Sequence, residues 1–405
     1  MENKKEMPSY KISKPEDNFR IPRNVFAMGW VSFFNDLASE MVYPVVPIFL
    51  TSFLGVPVAI VGFIEGIAES TSSILKVFSG WLSDRFQKRK PFVVSGYILS
   101  TFSKIILGLS YVWPSVLTAR FLDRFGKGIR TSARDSLITE SSPENIRGKS
   151  FGFHRALDTL GAVLGPLAAI LFLAIFNNNI RLIFFIAFIP GFIGIILLII
   201  FVREKRKKAI SFSDLKLRWR DVNPSFKIFL FISIIFSIGN SSDAFLILRA
   251  QNLGMTIKIT IFAYVLFNIT YALFSIPAGI IVDKIGAKRV LIIGFVVFGF
   301  VYFLLGLINK SLFIWFLFPF YGIYMALTEG VGKAYISLLV PQKKSGTAFG
   351  IYQTSIGICS FFSSIIAGVM WNYINVRVPF FFGSVTAIIT AVLFIVLGNR
   401  LKTIR

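Results

Sequence analysis

Arg120-Phe-Leu-Asp123-Arg124-Phe-Gly126-Lys127-Gly128-Ile-Arg130-Thr131-Ser-Ala-Arg134-Asp135 interrupts a stretch whose other residues call for burial in lipid. At roughly 100° per residue, Arg120, Asp123, Arg124, Lys127, Arg130, Arg134 and Asp135 fall within an arc of about 140° on a helix. Each such charge facing lipid costs about 2.5–3.5 kcal/mol even on the lenient insertion scale, so seven of them would cost roughly 20 kcal/mol. The stripe must look into a wet protein interior or lie at the water boundary.

The rest of the chain has to supply that interior. Of 405 residues, 55% are hydrophobic and 46 are phenylalanine, a composition that excludes an ordinary soluble domain. The single Cys359 rules out an intramolecular disulfide or a thiolate metal cluster, and the lone His154 and scattered acids offer no metal-ligand spacing. No metal and no cofactor is expected. Apolar runs of about 20 residues, enough to span the hydrocarbon, recur twelve times, near 25–50, 58–83, 92–112, 114–138, 150–176, 181–202, 226–248, 257–283, 289–308, 312–340, 346–373 and 378–398. Without alternation they read as helices, not barrel strands. The fold class is an all-α membrane protein of twelve transmembrane helices. The first 24 residues lack the apolar core and small-residue site of a cleaved signal, so the first hydrophobic helix is expected to serve as an uncleaved insertion signal.

The charges orient the chain. Almost every loop lysine and arginine falls on one side, from Lys4 through Arg85, Arg89, Lys90, Arg147 and the run after Arg203 to Lys284, Arg289 and Arg405; the other side receives only Arg181, Arg249, Lys258, Lys310 and Arg377. The positive-inside rule then places both termini in the cytoplasm of a multi-pass protein of the cell membrane. Topology accounts for the net charge of +23, and no nucleic-acid partner is expected. The expected organisation is a cytoplasmic tail over 1–24, a six-helix bundle over 25–202 and a basic linker over 203–225, followed by a second six-helix bundle over 226–398 and a tail over 399–405.

The two halves repeat. Leu54-Gly55 matches Leu253-Gly254, and the same offset brings Ile60, Phe63 and Thr71 onto Ile259, Phe262 and Thr270, Gly80 onto Gly279, and Asp84 onto Asp283. Parallel six-helix repeats imply a pseudo-twofold axis along the membrane normal and a site between the halves near mid-depth. Gly80-Trp-Leu82-Ser-Asp84-Arg85-Phe-Gln-Lys88-Arg89-Lys90 resembles the signature of the major facilitator superfamily between its second and third helices. Gly279-Ile-Ile-Val-Asp283-Lys284-Ile-Gly286-Ala-Lys288-Arg289 resembles its second copy, although Gln87 replaces a glycine that Gly286 keeps. Gly161-Ala-Val-Leu-Gly165-Pro166 resembles the fifth-helix motif of the drug:proton antiporter-like branch, with Ala168-Ala169 where two glycines usually end it. The resemblance implies that Gly80, Asp84, Arg85, Arg89, Lys90, Gly279, Asp283, Lys284 and Arg289 latch an inner gate. It also implies that Gly161, Gly165 and Pro166 bend or thin the fifth helix where it packs against the other half.

The ionisable residues at membrane depth are unevenly shared. The first half holds Asp36, Glu40, Glu65, Glu69, Lys76, Lys104, the fourth-helix stripe with Arg120, Asp123 and Arg124, and His154, Arg155 and Asp158; the second holds little beyond Asp243, Glu329 and Lys333. Asp36 with Glu40, and Glu65 with Glu69, are one turn apart and share a face. Neighbouring carboxyls in a low-dielectric site lose protons as a coupled pair, which suits proton coupling. The opposing reading is that these acids neutralise Lys76, Lys104, Arg120 and Arg124 in a fixed network. Asp243 follows Asn240-Ser241-Ser242, a polar break suited to an unwound binding segment. Glu329 and Lys333 have the spacing of a private ion pair, and His154 has the chemistry of a proton relay.

The expected function is secondary active transport by alternating access, exporting a small amphipathic solute against proton entry, with protons and solute competing for Asp36, Glu40, Glu65 and Glu69. A monomer in the lipid bilayer is expected to suffice. Uptake or exchange of an organic anion, clamped by Lys76, Lys104, Arg120 and Arg124, is the alternative within transport; a non-transporting receptor or scaffold is the alternative outside it. An enzyme is not expected, because no nucleophile–base–acid spacing or phosphate loop occurs.

Overall fold

A computed structural model describes residues 21–86, 88–143, 146–204, 223–341 and 345–398, and within them omits the side chains of Trp81, Asp84, Arg85, Ser345 and Thr347. The gate residues Asp84 and Arg85, and most of the expected linker, thus lie outside what is described. The first span is α1 (Arg23–Val42), continued past Pro44 by the short α2 (Val46–Ile48) and a π-helical turn over Phe49–Phe53. The sequence reading had no break there. The cause is local, since the Pro44 and Pro47 rings remove two donors from the ladder. Next come α3 (Val58–Phe86), α4 (Lys90–Gly108), α5 (Trp113–Ser141), α6 (Arg147–Ile175) and α7 (Ile180–Phe201). The second half begins with α8 (Pro224–Gly239) and α9 (Ala244–Asn252), one span broken at Asn240–Asp243, where short polar side chains compete for the backbone. It continues with α10 (Ile257–Ile285), α11 (Ala287–Leu307), α12 (Ile314–Leu339), α13 (Ser345–Tyr373) and α14 (Val378–Leu397).

Ten of the twelve spans are long and apolar enough by themselves to cross a membrane. The other two, the first and the fourth, carry Asp36, Glu40 and the charged stripe, and they cross because neighbours cover them. Arg120, Arg124 and Arg130 on α5 are buried, so the stripe does face inward. The lipid-facing surface is built instead from residues such as Ile199 and Ile200 of α7 and Leu273 and Ile276 of α10, all exposed.

The internal repeat is visible in the packing. The contacts α3–α5, α4–α5, α1–α7 and α4–α7 recur as α10–α12, α11–α12, α8–α14 and α11–α14. Gly55 and Gly254 take the same positive φ, +63° and +88°, in equivalent turns, a conformation that side chains with a Cβ disfavour. Gly286 does likewise at +85° between α10 and α11.

The halves meet along two seams, α3 with α13 and α6 with α10. On the face away from the chain ends the first seam is tight: a Cβ on Gly66 would lie 2.8 Å from the Phe361 carbonyl oxygen, and one on Gly62 would overlap that of Ser364. On the face that carries residues 21 and 398 the second seam is splayed, and nothing lies within 4 Å of where a Gly279 or Gly152 Cβ would stand. The interior is therefore open towards the terminal face and closed at the far face.

Candidate transport site

Helices α3 and α5 run in the same direction and in register. Glu65 and Arg120 are each seven residues from the far-face start of their helices, and Glu69 and Arg124 each eleven. The guanidinium of Arg120 donates to both oxygens of Glu65, at 3.0 and 2.7 Å, and both side chains are buried. One turn below, Arg124 lies 3.0 Å from Glu69. The Tyr43 ring sits against both guanidiniums at 5.4 and 5.5 Å, which adds cation–π stabilisation in a desolvated setting. On the other side of α5, Lys104 of α4 lies 3.4 Å from Asp123 and donates to the Ser100 carbonyl at 2.7 Å. Gly126 and Gly128 admit this wedge: a Cβ on Gly128 would come to 2.6 Å from Leu75 of α3.

The ladder then runs out of acid. In the same register Lys127 comes level with Ser72, and Lys76 with Thr131. Among the described residues Lys76, Lys127 and Lys333 have no carboxylate within 4.0 Å. Of the four bases expected to clamp an anion, three are matched by acids and Lys76 alone is left.

Nor do the four acids expected to form one group do so. Asp36 turns from Glu40 towards Asp158 on α6, whose carboxylate accepts from Ser32, one turn before Asp36 on α1. Asn35 donates to Asp36 at 3.2 Å, Ser32 donates to Asp158 at 2.7 Å, and Arg155 lies 3.1 Å from Asp158. Glu40 accepts from Tyr264 of the second half at 3.1 Å. Helical neighbours share a face, but a partner on an adjoining helix comes closer than the next turn, and that separates each expected pair. Asp158 was read as an intramembrane charge without a part in the site. Its spacing to Gly161 and Gly165, at i+3 and i+7, put it on the face that packs.

Those glycines dock α6 on α1, not on the other half. A Cβ on Gly161 would lie 2.5 Å from the Phe33 carbonyl oxygen, and one on Gly165 2.7 Å from that of Leu37. The fifth-helix motif thus seats the turn of α6 that carries Asp158 against the turn of α1 that carries Asp36.

In the second half, Asp243 at the break accepts from Tyr321 at 2.7 Å, and Asn240 donates to Tyr324 at 3.2 Å. Ser242 bridges the halves: its hydroxyl lies 3.4 Å from Glu65, and its backbone N–H donates to Ser364 at 3.2 Å. Glu329 accepts from Tyr271 and not from Lys333; Arg155 donates to the same Tyr271 hydroxyl at 3.3 Å. This chain of Asp158, Arg155, Tyr271 and Glu329 crosses the splayed seam. His154 is buried, with Nε2 unpartnered among the described residues.

Between the halves lies a cavity of about 330 Å³, lined by the charged Glu69, Lys76, Glu329 and Lys333 and by the aromatic Phe229, Phe236, Phe295 and Tyr324. A wider vestibule of about 620 Å³, which shares Glu329 and Lys333, reaches Gly279 and Asp283 at the terminal face. The gate motifs differ there. A Cβ on Gly80 would come to 3.3 Å from Ser132 of α5, Arg89 donates to Ser83 at 2.8 Å and lies 3.7 Å from Glu140, and Lys90 donates to the Ile199 carbonyl at 2.8 Å. In the second copy Asp283, Lys284 and Arg289 are exposed. Arg89 and Lys90 hold the first half's own helices together.

Two related helical bundles around a central polar cavity open to one face define a membrane carrier. The profile of the Major Facilitator Superfamily matches residues 28–248 and again 228–403, and the chain belongs to that family. It is 41% identical, over 94% of its own length and 97% of the other's, to an uncharacterized MFS-type transporter of Methanocaldococcus jannaschii. A shorter similarity, 24% over 47% of each chain, is to the quinolone resistance protein NorA of Staphylococcus aureus. Among solved structures, the POT family transporter PepTSo superposes with a TM-score of 0.79 at 13% identity, covering 94% of this chain and 99% of that one. A D-xylose-proton symporter superposes at 0.72 and 18%, covering 92% and 96%. At such identities the likeness is one of fold.

Proposed function

We propose that this transporter is a proton-coupled secondary carrier of a small amphipathic solute, and that the Asp36–Asp158 pair holds the coupling proton. The observation that carries this is the packing of α6 on α1, which sets Asp158 beside the turn that carries Asp36, with Ser32 of that turn donating to Asp158 at 2.7 Å. An ionised carboxylate only accepts hydrogen bonds, so two can bond to each other only with a proton between them. In this reading Asp36 donates, and Asp158, beside Arg155 and Ser32, accepts.

Loss of that proton leaves two like charges in contact. At about 4 Å and an effective dielectric of 20 their repulsion is about 4 kcal/mol, enough to move a two-state equilibrium several hundredfold. The strain falls on α1 and α6, and Arg155 on α6 is tied through Tyr271 to Glu329 across the open seam. Proton loss thereby biases the relative placement of the two bundles, which move as units. We read the direction as export in exchange for protons, which the fifth-helix motif and the partial likeness to a quinolone resistance protein support. Both termini lie in the cytoplasm, and one chain holds the whole cavity and works as a monomer.

The test uses purified full-length protein in vesicles that enclose a pH-sensitive dye. Addition of naphthoate, naphthamide or naphthyltrimethylammonium should move protons with at least one of them. Asp36→Asn should abolish that proton movement while solute exchange without a pH gradient persists. Solute-driven proton flux retained in Asp36→Asn would refute the assignment.

A further inference from the structure

Resting on that transport reading, we infer that the cavity selects an organic anion with an aromatic or other flat apolar body, whose charged group sits between Lys76 and Lys333. The argument begins with the α3–α5 register. Arginines of the stripe meet Glu65 and Glu69 one for one, and the sequence then places Ser72 and Thr131 where further acids would continue the ladder. Lys76 is left without a carboxylate within 4.0 Å among the described residues, while Lys333 lines the same cavity and Glu69 and Glu329 stand farther off.

With no carboxylate of the described residues within 4.0 Å of Lys76, Lys127 or Lys333, an anion placed between Lys76 and Lys333 gains close contacts that they lack and relieves part of their mutual repulsion. The carboxylates nearby fill this role only in part. Glu69 is matched by Arg124, and Glu329, oriented by the neutral Tyr271 hydroxyl, offsets one of the two lysines in the lining, which leaves one positive charge over. Lys76 and Lys333 both line the cavity of about 330 Å³, so the site is walled and not a surface patch.

The aromatic part of the lining sets the rest of the ligand. Phe236 stacks among Phe295, Phe298 and Tyr324 with ring centroids 4.7 to 6.0 Å apart, and Phe229 is held between Tyr335 and Tyr352. A continuous aromatic surface favours a flat apolar body by area and by ring stacking. The volume lies at the small end of ligand pockets, and fits a bicyclic acid better than a peptide or a long acyl chain.

The experiment is equilibrium binding and counterflow with the full-length protein in vesicles, using naphthoate, its neutral isostere naphthamide and its cationic isostere naphthyltrimethylammonium. Naphthoate should bind at least about tenfold more tightly than the amide, which is about 1.4 kcal/mol. Lys76→Gln and Lys333→Gln, each checked for folding by thermal unfolding in detergent, should each erase most of that preference. Lys76→Arg should restore it. Preference for the amide or the cation, equal binding of all three, or no binding would each overturn the anion assignment. Counterflow of any one of the three keeps the transport reading alive, so the two failures are told apart.

Discussion

Glu65→Gln removes one charge from the most deeply enclosed ion pair in the described part of the membrane. Glu65 and Arg120 are 1% and 3% exposed, and the guanidinium makes two parallel hydrogen bonds to the carboxylate. Deleting one partner leaves an arginine that has neither water nor a counter-charge, a loss of about 3–5 kcal/mol in buried pairs. Asp123, 4.0 Å from Arg120 but engaged by Lys104, is too far to replace it fully. With a six-helix half as the unfolding unit and about 2 °C per kcal/mol, the melting temperature should fall by about 6–10 °C. Glu65→Leu combined with Arg120→Leu removes both charges and should recover most of the loss, because apolar replacement of a whole buried pair is close to neutral. The assay is thermal unfolding of purified protein in one detergent at one pH, followed by intrinsic fluorescence. A Glu65→Gln variant that melts with the parent would mean that Glu65 is already neutral in the folded protein. The fixed-pair account of this site would then fail, and Glu65 would return as a candidate proton carrier.

Other consequences concern motion and closure. Gly62→Leu places a side chain where the Ser364 carbonyl already stands, so it should hold the far face open; a cysteine reagent added from that side should label a cysteine placed at Ser242 faster than in the parent, and unchanged labelling would count against the closed seam. Tyr271→Phe frees Glu329 and Arg155 from each other and should speed opening, raising the exchange rate by severalfold while solute affinity stays within about twofold; a large loss of affinity would place Tyr271 in the solute site. Gly161→Val forces α1 and α6 apart and should uncouple proton movement from solute exchange as Asp36→Asn does, whereas coupled transport in that variant would separate the motif from the proton site.

Much of the architecture could be read from the chain because lipid allows few solutions. Backbone groups in hydrocarbon must bond within their own helix, so apolar length alone marked the spans, and the offset that aligns Gly55 with Gly254 returned as two turns of the same φ. The break at Asn240–Asp243 was equally legible, since its cause is local competition for hydrogen bonds. The interruption near Pro44 was not read, although the prolines stood in view.

The site was legible in its membership and not in its pairing. Sequence alone determined that Asp36, Glu40, Glu65, Glu69 and the stripe on α5 must turn away from lipid, to a wet interior or the water boundary, because charge in lipid costs too much. Which acid meets which base was decided by the tertiary structure. The parallel register of α3 on α5 spends two arginines on two glutamates and leaves Lys76 and Lys127 over, and the glycine contact of α6 with α1 brings Asp158 to Asp36. Spacing along one helix fixes a face, while the partner across that face depends on how far two helices slide against each other, and only packing sets that distance.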